Sequence, residues 1–190
     1  MEATTHQDKV FEKVNTPGTS IRNREFEACT FKQCDLSNCD FANTRFTDCT
    51  FINCNLTMIK LHNTSMANAV FKDCKLMGII FSDCADFLFS VRFENCLLDY
   101  SSFMGKKMIG TVFINTTLKD VNFSNANLTK ALFDKTNLSG AIFNGTVLQE
   151  ANLLTAFAYS IDGELNKISK ARFSLQGVVG LLDKYRITIE

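Results

Sequence analysis

The sequence predicts an all-β solenoid, a four-sided coil stacked upon itself, and three observations predict it. Large apolar residues recur every five positions, small residues recur two places before them, and the three other places are rich in Asn, Asp, Lys and Ser. The large series runs Ile21, Phe26, Phe31, Leu36, Phe41, Phe46, Phe51, Leu56, Leu61, Met66, Phe71, Leu76, Phe81. It slips by two residues in "SDCADFLFS" and resumes as Leu88, Phe93, Leu98, Phe103, Met108, Phe113, Leu118, Phe123, Leu128, Phe133, Leu138, Phe143, Leu148, Leu153. A period of five is neither the 3.6 of a helix nor the 2 of a simple strand. A chain that turns one large side chain inward every five residues must bend at each repeat. If four repeats close a coil, each coil holds about 20 residues, and coils stack at roughly 4.8 Å. No single coil buries its own apolar side, so stacking supplies the core. Residues 21 to 157 then make about seven coils, a rod of roughly 33 Å.

The small position explains the cysteines. Cys29, Cys34, Cys39, Cys49, Cys54, Cys74 and Cys96 fall there, interchangeably with Ala, Ser and Thr, and Cys84 carries the spacing into the slip. A free Cys behaves as a small buried hydrophobe. Zinc needs ligands that converge on one point, whereas a four-sided coil points neighbouring cysteines along different walls. Cys34, Cys54 and Cys74 stack on one wall with parallel Cβ vectors, which do not favour a disulfide. Packing is therefore the expected role, with no metal and no cofactor. His6 and His62 are the only histidines, and no HExxH, triad or Gly-rich phosphate loop accompanies them. No catalytic residue is expected, and a solenoid with a packed interior offers no pocket. The Asn-x-Ser/Thr sequons follow from the repeat itself.

A chain of 190 residues fits one domain. Twenty basic and 20 acidic side chains cancel, which argues against direct nucleic-acid binding. Between residues 25 and 153 the balance is 13 acidic to 11 basic, a net of −2, and no wall is strongly negative. The N-terminus "MEATTHQDKVFEK" lacks an apolar signal core, and runs such as "LMGIIF" are too short to span a bilayer. The expectation is a cytoplasmic protein with reduced thiols and no membrane partner.

Departures from a repeat are the places to look for function. "CADFLFSVRF" (84–93) must bulge from a corner, either as a tolerated insertion or as a partner contact carrying Phe87, Phe89 and Arg92. "MGKKMIG" (104–110) puts Lys106 at a small inward slot, from which it is expected to displace the backbone and snorkel outward. With Lys107 it forms a second candidate contact. At the C-terminus Ser174 can N-cap a short α-helix. Leu175, Val178, Val179 and Leu182 then make one apolar stripe, and "RITI" alternates as a strand. The expected organisation is a cap over 1–20, the repeat over 21–173 with its slip at 82–92, and a capping or dimerising segment over 174–190.

The repeats "CTFKQCDLSNCDFANTRFTDCTFINCNL" (29–56) and "SNANLTKALFDKTNLSGAIFNGTVLQEANL" (124–153) resemble the A(D/N)Lxx motif of pentapeptide-repeat proteins. The resemblance implies a right-handed quadrilateral β-helix. The C-terminal segment is similar to the helix and strand by which quinolone-resistance (Qnr-type) members form end-to-end homodimers. By the same resemblance the expected activity is non-enzymatic binding of DNA gyrase or topoisomerase IV through DNA mimicry, modulating quinolone sensitivity. A general interaction scaffold with an unrelated protein partner is the alternative.

Overall fold

The computed structural model of the chain describes residues 4–189. The period of five becomes a four-walled coil because the residue two places after each inward side chain turns the corner. That residue adopts positive φ, as at Asn23 (55°), Asn38 (58°), Asn53 (54°) and Asp73 (54°). Asn, Asp and Gly tolerate this left-handed region best, which is why they crowd the outward places.

Two walls carry regular ladders. The first is a parallel sheet of Thr5–Gln7, Glu25–Glu27, Arg45–Thr47 and Ser65–Ala67. The second is a nine-stranded parallel sheet from Val10–Glu12 to Arg172–Phe173. Eight steps of about 4.8 Å make this wall about 38 Å long. The third and fourth walls are columns of single bridges, such as Asn15↔Asp35↔Asn55↔Lys75 and Ser20↔Asp40↔Lys60. Register is 20 residues per coil, as in Phe31↔Phe51, and becomes 22 across the slip, as in Phe71↔Phe93.

Large inward residues meet as predicted. Rings on one wall stack with near-parallel planes, as Phe26–Phe46 do at 5.2 Å and 8°. Rings on adjoining walls meet edge to face, as Phe46–Phe51 do at 68°. Both arrangements suit the aromatic quadrupole. The small slot does more than save space. Its hydroxyls and thiols donate to the carbonyl of the large inward residue one coil earlier: Thr64 Oγ1 to Phe41 at 2.8 Å, Ser101 Oγ to Leu76 at 2.9 Å, Cys49 Sγ to Phe26 at 3.3 Å. Cys, Thr and Ser interchange there because each is small and each donates one bond.

Three expectations need correction. The segment expected to be an N-terminal cap is, from Thr5 onward, one more coil. His6 pairs with Phe26 in register and stacks on its ring at 4.9 Å, and Phe11 lies on Phe31. Polar His6 and Thr16 in inward slots hid this coil from the apolar pattern. At the slip Leu88 is not the inward residue; it has φ of 58° and is exposed, and Phe89 fills the interior instead.

The C-terminal segment is not an α-helix followed by a strand. It forms 3₁₀ turns over Gly177–Leu181 and Asp183–Tyr185, and Ile187–Ile189 have no strand partner among the described residues. Ser174 still caps, accepting the Gly177 N–H at 2.9 Å. Gly177 and Gly180 lie so close to Tyr159 that any Cβ would overlap it, and such glycines weaken an α-helix. The Ile161 N–H donates to the Gly180 carbonyl, and Leu181 packs on the core, closing the last coil.

Under this lid the buried Tyr159 hydroxyl has no hydrogen-bond partner among the described residues. Replacing Tyr159→Phe should therefore raise stability by about 1 kcal/mol, read as a higher thermal midpoint. A fall in the midpoint would show that the hydroxyl is bonded.

Candidate partner-binding site

The slip interrupts the first wall. Its regular ladder ends at Ser65–Ala67 and returns only as bridges such as Lys107↔Asn127. Between them the chain leaves the wall after Ala85, whose N–H still donates to Thr64, and rejoins at Ser90, whose N–H donates to Met66. The Phe89 N–H closes the intervening turn on the Asp86 carbonyl. Phe87 is 78% and Leu88 63% exposed, so these two side chains stand out as an apolar ridge. A groove of about 570 Å³ lies on one side, lined by Arg45, Asn63, Ser65 and Ala67. Another of about 530 Å³ lies on the other, lined by Asn68, Lys107, Ile109 and Thr111.

Phe89, expected at the surface, is buried and meets Phe81 edge to face at 6.5 Å. Lys106, expected to snorkel outward, also stays inside, with only 3% of its side chain accessible. Its ammonium donates to the Cys84 carbonyl at 2.5 Å and to Asp86 Oδ1 at 2.6 Å, and lies 5.3 Å from the centre of the Phe89 ring. The slot tolerates Lys because the inserted loop brings a carbonyl, a carboxylate and an aromatic face to its tip. Slip and lysine, which read as two breaks, are one feature. The signal was available: Lys106 follows Asp86 by 20 residues, one coil in this register.

The structure thus gathers Phe87, Phe89, Lys106 and exposed Lys107 on one wall. Arg92 stands apart on the outer face of the second wall, donating to Glu94 at 2.6 Å, and Lys72 approaches the same carboxylate at 3.3 Å. At the C-terminal end Leu175, Val178 and Val179 are exposed and Leu182 is half-buried. Lys184 anchors this segment to the body through Asp162 at 2.7 Å and Glu164 at 2.9 Å, and the paired carboxyl of Asp162 is held below its ordinary range.

All eight cysteines are free and buried. Burial pushes the thiols of Cys49 and Cys84 up to about 12, so both are neutral near pH 7 and poor nucleophiles. Among the described residues no group of three His, Cys, Asp or Glu side chains is placed to hold a metal ion, and no helix is long and apolar enough to cross a membrane.

Comparison with known proteins agrees with this geometry. No curated protein matches the sequence significantly. Among solved structures, a trypsin-treated form of QnrB1, a plasmid-mediated fluoroquinolone resistance protein, superposes with a TM-score of 0.61 at 16% identity, covering 95% of this chain and all of that one. A second trypsin-treated form gives 0.52 at 17% identity, covering 99% and 98%. HetL, a protein involved in heterocyst differentiation regulation in the cyanobacterium Nostoc, gives 0.43 at 16% identity, covering 93% and 91%. At such identities the likeness speaks for the fold. Two family models match the sequence, a pentapeptide repeat region over residues 24–103 and pentapeptide repeats over 122–154, together more than half of the chain. With inward residues at every fifth position forming four stacked walls, the chain belongs to the pentapeptide-repeat family.

Proposed function

We propose that this protein is a non-enzymatic binding rod whose contact surface is the Phe87–Leu88 ridge, with DNA gyrase or topoisomerase IV as partner. The observation that carries the reading is the ridge itself: two large apolar side chains exposed side by side at the slip in the repeat. Exposed apolar groups of this kind mark contact sites, and an aromatic residue is a frequent anchor. The topoisomerase reading is supported by the resemblance to Qnr-type proteins and by the likeness of fold to QnrB1. A net of −2 between residues 25 and 153 favours contact through the ridge over imitation of DNA, which carries one charge per about 1.7 Å. The same charge balance favours a second reading, a scaffold that uses this ridge for an unrelated protein. Eight unpaired thiols support a cytoplasmic setting.

The test is gyrase supercoiling with and without ciprofloxacin, titrated with this protein. The reading expects inhibition of supercoiling, or its rescue from the drug, at micromolar protein. No change in either arm removes the topoisomerase and leaves the scaffold.

We propose further that two copies associate through the C-terminal stripe of Leu175, Val178, Val179 and Leu182, beside which Tyr185, Ile187 and Ile189 are also exposed. Light scattering should return twice 21.3 kDa for the wild type and 21.3 kDa for Leu175→Glu. Equal masses for the two proteins would sink the dimer.

A further inference from the structure

The ridge could project from a loose loop or from a fixed one, and the two differ in what they can bind. The loop residues 86–89 are held by few backbone hydrogen bonds, namely that of the Phe89 N–H within the loop and those of the flanking Ala85 and Ser90 N–H groups. What fills the space beneath them is the Lys106 side chain. Its ammonium reaches the Cys84 carbonyl just before the loop, the Asp86 carboxylate at the loop's start and the Phe89 ring at its end. The ammonium is buried while the Asp86 side chain is 87% accessible, so the lysine comes from the core and the loop folds down over it.

We propose that Lys106 is a positioning residue that fixes the 86–89 loop, so that Phe87 and Leu88 are held outward before any partner arrives. The occupant this suits is a protein surface with an apolar cleft, flanked by groups that meet the two polar-edged grooves. A ridge already in its bound shape does not lose loop entropy on association. The inference rests on the ridge being the contact surface only for its binding consequence. The order of the loop is measurable without a partner.

On the same wall this slot holds buried Thr at 44, 64 and 146, so Lys106→Thr restores an ordinary repeat interior. Hydrogen exchange read by mass spectrometry should show the segment 85–90 exchanging about tenfold or more faster in this variant, with residues 110–155 unchanged. The chain has no tryptophan, so Phe87→Trp adds a single emitter on the ridge. Its fluorescence anisotropy should fall when Lys106→Thr is added. Asp86→Ala removes the exposed half of the latch without touching the core, and should accelerate the same segment even if Lys106→Thr misfolds.

Unchanged exchange in 85–90 for both variants would overturn the proposal. So would acceleration spread evenly along the rod, which would make Lys106 a packing residue only. If the loop loosens as expected while no topoisomerase binds the wild type, the latch stands and the partner falls.

Discussion

Phe113→Ala should lower the stability of the rod by about 3–5 kcal/mol, the usual cost of emptying a buried aromatic site. Phe113 is fully buried and stacks between Phe93 at 5.4 Å and Phe133 at 5.0 Å. It also meets Phe103 and Phe123 edge to face on the adjoining wall. Because each coil touches only its neighbours, one deletion weakens two interfaces that no distant contact supports. Guanidinium unfolding followed by circular dichroism measures the loss. Phe87→Ala, which removes an exposed ring of the same size, should change stability by less than about 0.5 kcal/mol. Similar losses for both would mean that the ring ladder is not the core.

Alkaline pH should unfold the protein through its cysteines. Cys49 and Cys84 have folded pKa values of about 12 against an ordinary 9.0, because burial disfavours the thiolate. The folded state therefore holds protons that the unfolded chain releases first. Their contribution is whole below pH 9 and is lost as pH rises from there towards 12. In that window each thiol costs about 1.4 kcal/mol per pH unit, so the pair costs about 2.8. Guanidinium unfolding at successive pH values above 9 should fall less steeply for Cys49→Thr with Cys84→Ala than for the wild type. Thr keeps the donated bond that neighbouring slots show at Thr44 and Thr64. Identical slopes would mean that neither thiol titrates from a buried site.

The repeat was legible because packing wrote it at a fixed period: every fifth residue from Ile21 to Phe81 is large, apolar and at an inward slot. The role of the cysteines followed from the same spacing, although the hydrogen bond that makes Cys equivalent to Thr needed coordinates. What the sequence hid lies where side chains outside the apolar set enter the core. His6 stacks as a ring, and Lys106 enters a slot meant for Thr because a loop 20 residues earlier neutralises its tip. At the slip, two extra residues leave open which of Leu88 and Phe89 turns inward. Phe89 does so because its ring both meets Phe81 and covers the ammonium. The C-terminal stripe had helical spacing, but Gly177 and Gly180 against Tyr159 favour tight 3₁₀ turns.

Repeat and interruption thus divide the labour: the stacked rings build a rigid body and the slip presents Phe87 and Leu88. The most direct test is the affinity of gyrase for the immobilised wild-type protein and for Phe87→Ser with Leu88→Ser, both checked for an unchanged circular dichroism spectrum. The wild type should bind, and the double variant should lose at least about tenfold in affinity, as for an apolar hot spot. Equal affinity of gyrase for the two proteins would contradict the ridge as the contact surface.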